Sequence, residues 1–188
     1  MAVVLGTSAG FVEVAPVDDP LGTGGIGIDN VASVTRDTSP STAAKITEVG
    51  FWADNATEES NFEVGLYAAD GSVVPGEAGT LLFVSRTNAK GTGAGWKSAT
   101  VDWDIDPDTS YWLAFQLDDT ATQTIGNVTL SGGAGYDQRG SQSTLADPFG
   151  GGALADADGV FAIYAVWEEG ASGGVDPGNI RQTQAMIL

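Results

Sequence analysis

Alternation of apolar and polar side chains runs through most of this sequence and constrains its fold more than any other feature. Successive side chains of a β-strand point to opposite faces, so a period of two predicts strands with one face in a core. The alternation is clearest in the segments 47–51, 62–68 and 111–117. No stretch keeps the helical spacing i, i+3, i+4, i+7 over three turns. The sequence therefore predicts an all-β protein.

Turn sequences divide the chain into short strands. Asp-Gly, Pro-Gly, Gly-Thr-Gly and Asp-Pro-Asp sequences stand between the alternating segments, and such residues favour tight turns. Further strands are predicted at 26–34, 81–86, 97–103, 122–130 and 160–167. Many short strands at this spacing predict a single β-sandwich, with a jelly roll as the preferred topology.

The composition of successive segments predicts the domain organisation. The chain has 188 residues, enough for one domain with its own core. We assign residues 1–169 to the sandwich, with about the first 30 residues as a covering arm or as its first strands. The Gly- and Ser-rich stretch 131–159 predicts a long ordered loop at one end of the sandwich. Residues 170–178 predict a flexible linker, and residues 179–188 a short docking tail.

The composition also excludes several kinds of catalytic site. The chain has no histidine and no cysteine, so Ser–His–Asp and Cys–His arrangements are excluded. The commonest ligands of transition metals are missing as well. There are 25 carboxylates, and no pair stands out as an acid and a base. We therefore expect no enzymatic activity, no cofactor and no metal; a glycosidase, which needs only two carboxylates, stays as a third hypothesis.

An acidic run from Asp102 to Asp108 has a carboxylate at every second position, as calcium-binding loops do. The run does not fit an EF-hand loop, because Pro107 stands where glycine is needed and Leu113 where a bidentate glutamate is needed. The alternation instead predicts the end of a strand, with its acidic side in water, followed by a turn.

The charge of the chain argues against two kinds of partner. The formal net charge is −18, with only seven lysines and arginines, which opposes binding to nucleic acids and to anionic membranes. There is no apolar run of 18 residues, and the first residues lack the basic region of a signal peptide. We expect a chain that is made and kept in the cytoplasm or released from it by lysis.

Three aromatic residues, Trp52, Tyr67 and Trp112, form a candidate interaction surface. Their neighbours in sequence are predicted core residues, so the period of two places the three rings together on the sheet face opposite the core. The small residues Gly50 and Gly65 leave room there for a bulky group. Three interpretations follow: a platform for a sugar, a patch buried by a neighbouring subunit, or a face covered by the chain's own N-terminal residues.

The apolar residues of the tail, Ile180, Met186, Ile187 and Leu188, are the second candidate interaction surface. An extended tail in water gains nothing from these side chains. Such a segment docks onto its own domain or adds to the sheet edge of a partner, unless it is simply frayed. From the sequence we expect docking onto a partner or a neighbouring copy.

The stretch 45–167 resembles a phage-type jelly-roll module that is related in shape to carbohydrate-binding modules. The resemblance lies in Lys-Ile-Thr-Glu-Val-Gly-Phe-Trp (45–52), Phe-Glu-Val-Gly-Leu-Tyr (62–67), Gly-Ala-Gly-Trp-Lys (93–97), Asp-Thr-Ser-Tyr-Trp-Leu-Ala (108–114) and Phe-Ala-Ile-Tyr-Ala (161–165). Asn-Ile-Arg-Gln-Thr-Gln (179–184) is similar to the Arg-Val-Thr-Gln endings of small phage structural proteins.

The resemblance implies a structural component of a tailed-phage virion, as a capsid decoration, head-fibre or tail accessory protein. Its partners would be a major capsid or tail protein and further copies of itself, and it would assemble in the host cytoplasm. The alternative is a carbohydrate-binding module or tail-associated adhesin that takes a host-surface glycan. The resemblance extends to fold and role only, because its motifs consist of strand and turn residues.

Overall fold

The computed structural model describes residues 3–20, 25–55, 60–71, 76–117, 123–125, 135–150 and 160–170. Within these ranges every regular element is a β-strand, which confirms the predicted all-β class. The strands are β1 (Gly10–Val12), β2 (Gly25–Gly27), β3 (Val31–Thr38), β4 (Ala43–Asn55), β5 (Asn61–Ala68), β6 (Leu81–Ala89), β7 (Gly95–Asp104), β8 (Ser110–Leu117), β9 (Gln123–Ile125), β10 (Tyr136–Arg139) and β11 (Ile163–Glu169). The described residues contain no membrane-spanning helix.

The strands form two sheets that pack as a sandwich, as predicted. The first sheet has the order β1-β11-β4-β9-β2, and β7 also pairs with β4. The second sheet has the order β10-β3-β8-β5-β6, and all its pairs are antiparallel. In the first sheet β1 runs parallel to β11, so the chain moves in the same direction along both strands.

The main core lies between the sheets and is built from the inward side chains of each strand. Phe51 of the first sheet stacks on Phe115 of the second, with ring centroids 4.2 Å apart and planes 3° apart. Phe62 meets the ring of Phe51 edge-on. Phe83 on β6 stacks on Trp103 on β7 and closes one side of the sandwich. The alternation read from the sequence had Phe51 and Phe115 facing the core, and both are fully buried there.

Several strand bounds differ from the predictions. The predicted strand 26–34 is two strands, because Asn30 adopts a positive φ of 50° between β2 and β3. The predicted strand 160–167 begins at Ile163 and extends to Glu169. Of the predicted strand 122–130, the described residues contain only β9. The short strands β1 and β10 were missed, because three or four residues are too few to show a period.

The predicted long loop 131–159 is only in part a loop, and its described part does not lie at an end of the sandwich. Residues 136–139 form β10, which pairs with β3. Residues 140–150, called here the cover segment, lie over the outer face of the second sheet, with Leu145 and Phe149 buried against it. Residues 131–134 and 151–159 lie outside the described residues, as do most of the predicted linker and all of the tail.

Candidate interaction surface

The outer face of the first sheet carries an aromatic cluster of Trp52, Trp96 and Tyr164. Trp96 meets each of the other two rings edge-on, at centroid distances of 5.4 Å and 5.3 Å. A Cβ atom on Gly50 would lie 2.6 Å from the Tyr164 ring, so glycine is what lets this ring lie against the sheet. Burial raises the pKa of the Tyr164 hydroxyl, which donates a hydrogen bond to Glu48.

The chain's own N-terminal residues cover much of this cluster. Val3 and Ala9 are fully buried in one apolar group with Trp52. The indole nitrogen of Trp96 donates a hydrogen bond to the main-chain oxygen of Asp18, at 3.0 Å. Trp52 is only 9% exposed as a result.

The outer face of the second sheet carries Tyr67 and Trp112, and both rings are buried, that of Tyr67 by the cover segment. Phe149 meets Tyr67 edge-on at 5.3 Å. The indole nitrogen of Trp112 donates a hydrogen bond to the main-chain oxygen of Gly76, at 2.9 Å. Leu145 lies against Gly65, where an added Cβ would approach it to 2.8 Å. The room that the sequence suggested at Gly65 is thus filled by the protein's own leucine.

The predicted aromatic surface is therefore corrected. Trp52, Tyr67 and Trp112 do point outward, as the alternation required, but Trp52 lies on the first sheet and the other two on the second. Their exposed fractions are 9%, 0% and 2%. The prediction that the three rings share one accessible surface is wrong, because segments distant in sequence return to cover each face. The other predicted contact residues, Ile180, Met186, Ile187 and Leu188, lie outside the described residues.

A buried carboxylate holds the cover segment on the second sheet. Glu63 on β5 accepts hydrogen bonds from Nη1 of Arg86, at 2.6 Å and 2.5 Å to its two oxygens, and from the main-chain nitrogen of Leu145, at 2.7 Å. Nη2 of Arg86 donates to the main-chain oxygen of Leu145, and the Tyr67 hydroxyl donates to that of Ala146. These contacts tie the cover segment to both β5 and β6. Sequence reasoning missed them, because Glu63 and Arg86 meet only through the register of two paired strands.

Asp137 on β10 is a second buried carboxyl on this face. Burial raises its pKa to about 6, and Glu77 adds to this, while the main-chain nitrogen of Gln138 and the charge of Arg139 act in the opposite direction. Arg139 in turn donates to the main-chain oxygen of Phe149 in the cover segment. A pKa of about 6 is in the range that suits a general acid. Burial among groups that hold the fold together is a sufficient cause of this pKa shift, however.

The acidic run forms the end of β7 and the following turn, as predicted. Trp103 and Ile105 point into the core, whereas Asp102, Asp104 and Asp106 are exposed. Lys45 forms an ion pair with Asp102 on the surface. Among the described residues no three carboxylates lie close enough together to hold a metal ion.

An apolar groove lies in the N-terminal segment and was not predicted. Residues 7–8 and 14–20, called here the N-terminal groove, line a cavity of about 210 Å³. Val14 is 76% exposed and Val17 is 86% exposed. Among the described residues the other exposed large apolar side chains are Val4 and Leu82, at 43% and 41%. Exposed apolar side chains thus concentrate in the segment that contains the groove.

Comparison of the chain with models of protein families, with curated proteins and with solved structures gave no match.

Proposed function

We propose that the chain is a structural protein of a tailed-phage virion, a capsid decoration or head-fibre protein that binds other virion proteins. The observation that carries the proposal is that the aromatic rings on the outer faces of both sheets are covered by the chain's own segments. The N-terminal residues cover Trp52, the cover segment covers Tyr67, and Trp112 is buried beside Gly76 and Gly135. A sandwich closed in this way is suited to being a rigid building block.

The strand order supports a jelly roll, a fold used by viral capsid and lectin domains. With β2, β9 and β10 set aside, eight of the eleven strands remain, in the orders β1-β11-β4-β7 and β3-β8-β5-β6. If these eight strands are renumbered one to eight along the chain, the first sheet has the order 1-8-3-6. The second sheet then has the order 2-7-4-5. On this strand order we propose that the sandwich is a jelly roll. The parallel pairing of β1 with β11 departs from it.

The charge and composition support a role in assembly rather than in catalysis. The chain has no histidine or cysteine for nucleophilic or acid–base chemistry. A net charge of −18 keeps a protein soluble at high concentration and disfavours nucleic acid as a partner. We propose that the protein is not an enzyme and that its partners are a capsid or tail protein and other copies of itself.

Leu82 marks a candidate contact on the sandwich. It is 41% exposed and lies on β6, the last strand of the second sheet in the described part of the chain. Edge strands present unpaired main-chain groups, and apolar side chains on them favour association with another protein. By contrast, a sugar platform requires exposed rings, and the burial of Trp52, Tyr67 and Trp112 disfavours it.

The test uses purified particles of the phage whose genome encodes the chain. Mass spectrometry and immunogold labelling should find the protein on intact particles in many copies. Particles that lack it should bind the recombinant chain, and Leu82→Glu should weaken this binding at least tenfold. Thr100→Glu, at an exposed position on β7, is the matched control and should bind normally. A protein abundant in the lysate but absent from density-purified particles would refute the proposal, and glycan binding without particle binding would favour the carbohydrate-binding alternative.

A further inference from the structure

The N-terminal groove combines exposed apolar side chains with a cavity. Its lining includes Val14, Ala15, Pro16, Val17 and Pro20. Val14 and Val17 are more exposed than any other large apolar side chain in the described residues. The cavity of about 210 Å³ is smaller than typical pockets for drug-sized ligands, about 300–1,000 Å³, but it can take one or two apolar side chains of a peptide. Contiguous apolar surface of this kind is typical of a site that binds a protein segment.

Contacts within the chain hold both walls of the groove in place. One wall is the turn at Ser8, whose main-chain nitrogen donates to the main-chain oxygen of Val4 and whose hydroxyl accepts from the main-chain nitrogen of Val4, at 2.9 Å and 3.0 Å. The other wall, residues 14–20, follows β1, which pairs with β11. Its main chain is tied to the first sheet where the oxygen of Asp18 accepts the hydrogen bond from Trp96. A groove that is formed before binding loses little conformational entropy when a partner docks.

The charge around the groove indicates the chemistry of its partner. Asp18 belongs to the lining, and Glu13, which precedes Val14, is exposed. The first 35 residues of the chain contain four carboxylates and neither lysine nor arginine. Negative charge of this kind attracts a cationic segment and repels an acidic one. A second copy of the chain, at a net charge of −18, and an anionic membrane are disfavoured for the same reason.

We propose that the N-terminal groove binds a segment of another protein in which one or two apolar side chains stand next to a lysine or arginine. The apolar side chains of that segment enter the cavity beside Val14 and Val17, and its cation lies at Asp18. Under the proposed function this other protein is a component of the virion, but binding in the groove does not require that it be one. The site is also separate from Leu82, which lies on the second sheet.

The test selects ligands without a prior choice of partner. A displayed library of short random peptides is selected for binding to the full chain, and the enriched peptides are synthesised and measured by fluorescence anisotropy. These peptides should carry apolar residues next to lysine or arginine. Val14→Ser with Val17→Ser should weaken their binding about tenfold or more. Leu82→Ser is the matched control, because it removes an exposed apolar side chain from the second sheet, and it should leave binding unchanged.

A second pair of variants separates attraction at the groove from the acidity of the whole chain. Asp18→Asn should weaken binding about threefold. Asp104→Asn removes the same charge from an exposed position on β7 and should have little effect. Thermal unfolding verifies that the variants keep their fold, which is expected because the replaced side chains are exposed.

Several results would overturn the proposal. They are a selection that enriches no peptide, peptides that bind the Val14 and Val17 double variant as tightly as the unmodified chain, and equal losses in the two aspartate variants. Self-association of the free chain that the double variant abolishes would also overturn it and would assign the groove to a second copy. The proposed function fails on a different result, the absence of the chain from purified particles.

Discussion

Glu63 is the residue at which the attachment of the cover segment can be tested most directly. Its carboxylate accepts hydrogen bonds from Arg86 and from the main-chain nitrogen of Leu145, at 2.5–2.7 Å. The Glu63 side chain is 11% exposed, whereas that of Arg86 is 42% exposed. We predict that Glu63→Gln, which keeps the size of the side chain and removes its charge, loosens the cover segment and lowers the free energy of unfolding.

The magnitude follows from the burial of the two partners. Removing one member of a fully buried ion pair costs about 3–5 kcal/mol, because the other charge is left without a partner. Arg86 is partly in water and regains hydration, so the cost is smaller. Hydrogen bonds to charged groups contribute about 1.5–3 kcal/mol, so we expect a loss of about 2–3 kcal/mol. For a chain of this length that lowers Tm by roughly 5–10 °C.

Urea unfolding followed by tryptophan fluorescence measures the change, and amide hydrogen exchange locates it. Exchange in residues 140–150 should become faster in Glu63→Gln, with the main core unaffected. Lys45→Gln is the control, because its ion pair with Asp102 is exposed, at 36% and 78%, and such surface pairs contribute little to stability. The reasoning is refuted if both variants lose the same stability and exchange in residues 140–150 does not change.

Three further predictions test the outer faces of the sheets. In the folded protein the pKa of Asp137 is about 6, above its unfolded value, so ionisation of this carboxyl lowers the free energy of unfolding as pH rises from about 4 to 6. Asp137→Asn should therefore raise the free energy of unfolding by on the order of 1–2 kcal/mol at pH 7.5 and leave it unchanged at pH 4. A difference in urea unfolding that does not depend on pH would contradict this. Gly50→Ala should cost about 1–3 kcal/mol in thermal unfolding because the new Cβ meets the Tyr164 ring, whereas Gly27→Ala, with open space around it, should be nearly neutral. Trp112→Ala should cost about 3–5 kcal/mol by the same measurement, since the ring is 2% exposed, and a loss below 1 kcal/mol would show that the ring is not part of the monomer's core.

The sequence alone determined which side of the long alternating strands faces the core. Phe51 and Phe115 point inward and stack on each other, and Trp103 and Ile105 point inward within the acidic run. This was predictable because the period of two is a local property of the pleated backbone and does not depend on which strands pair. The same local argument assigned Trp52 and Trp112 to outward faces.

Only the tertiary structure decided what covers those outward faces. Leu145 reaches Gly65 across 80 positions of the sequence, and Glu63 meets Arg86 through the register of β5 and β6. Contacts of this kind depend on how segments that are distant in sequence pack onto the sheet. The periodicity of the sequence does not predict this packing. For the same reason the raised pKa of Asp137 could not be read from its neighbours in sequence. Burial of a face is a property of the assembled fold, whereas the direction in which a side chain points is a property of the strand.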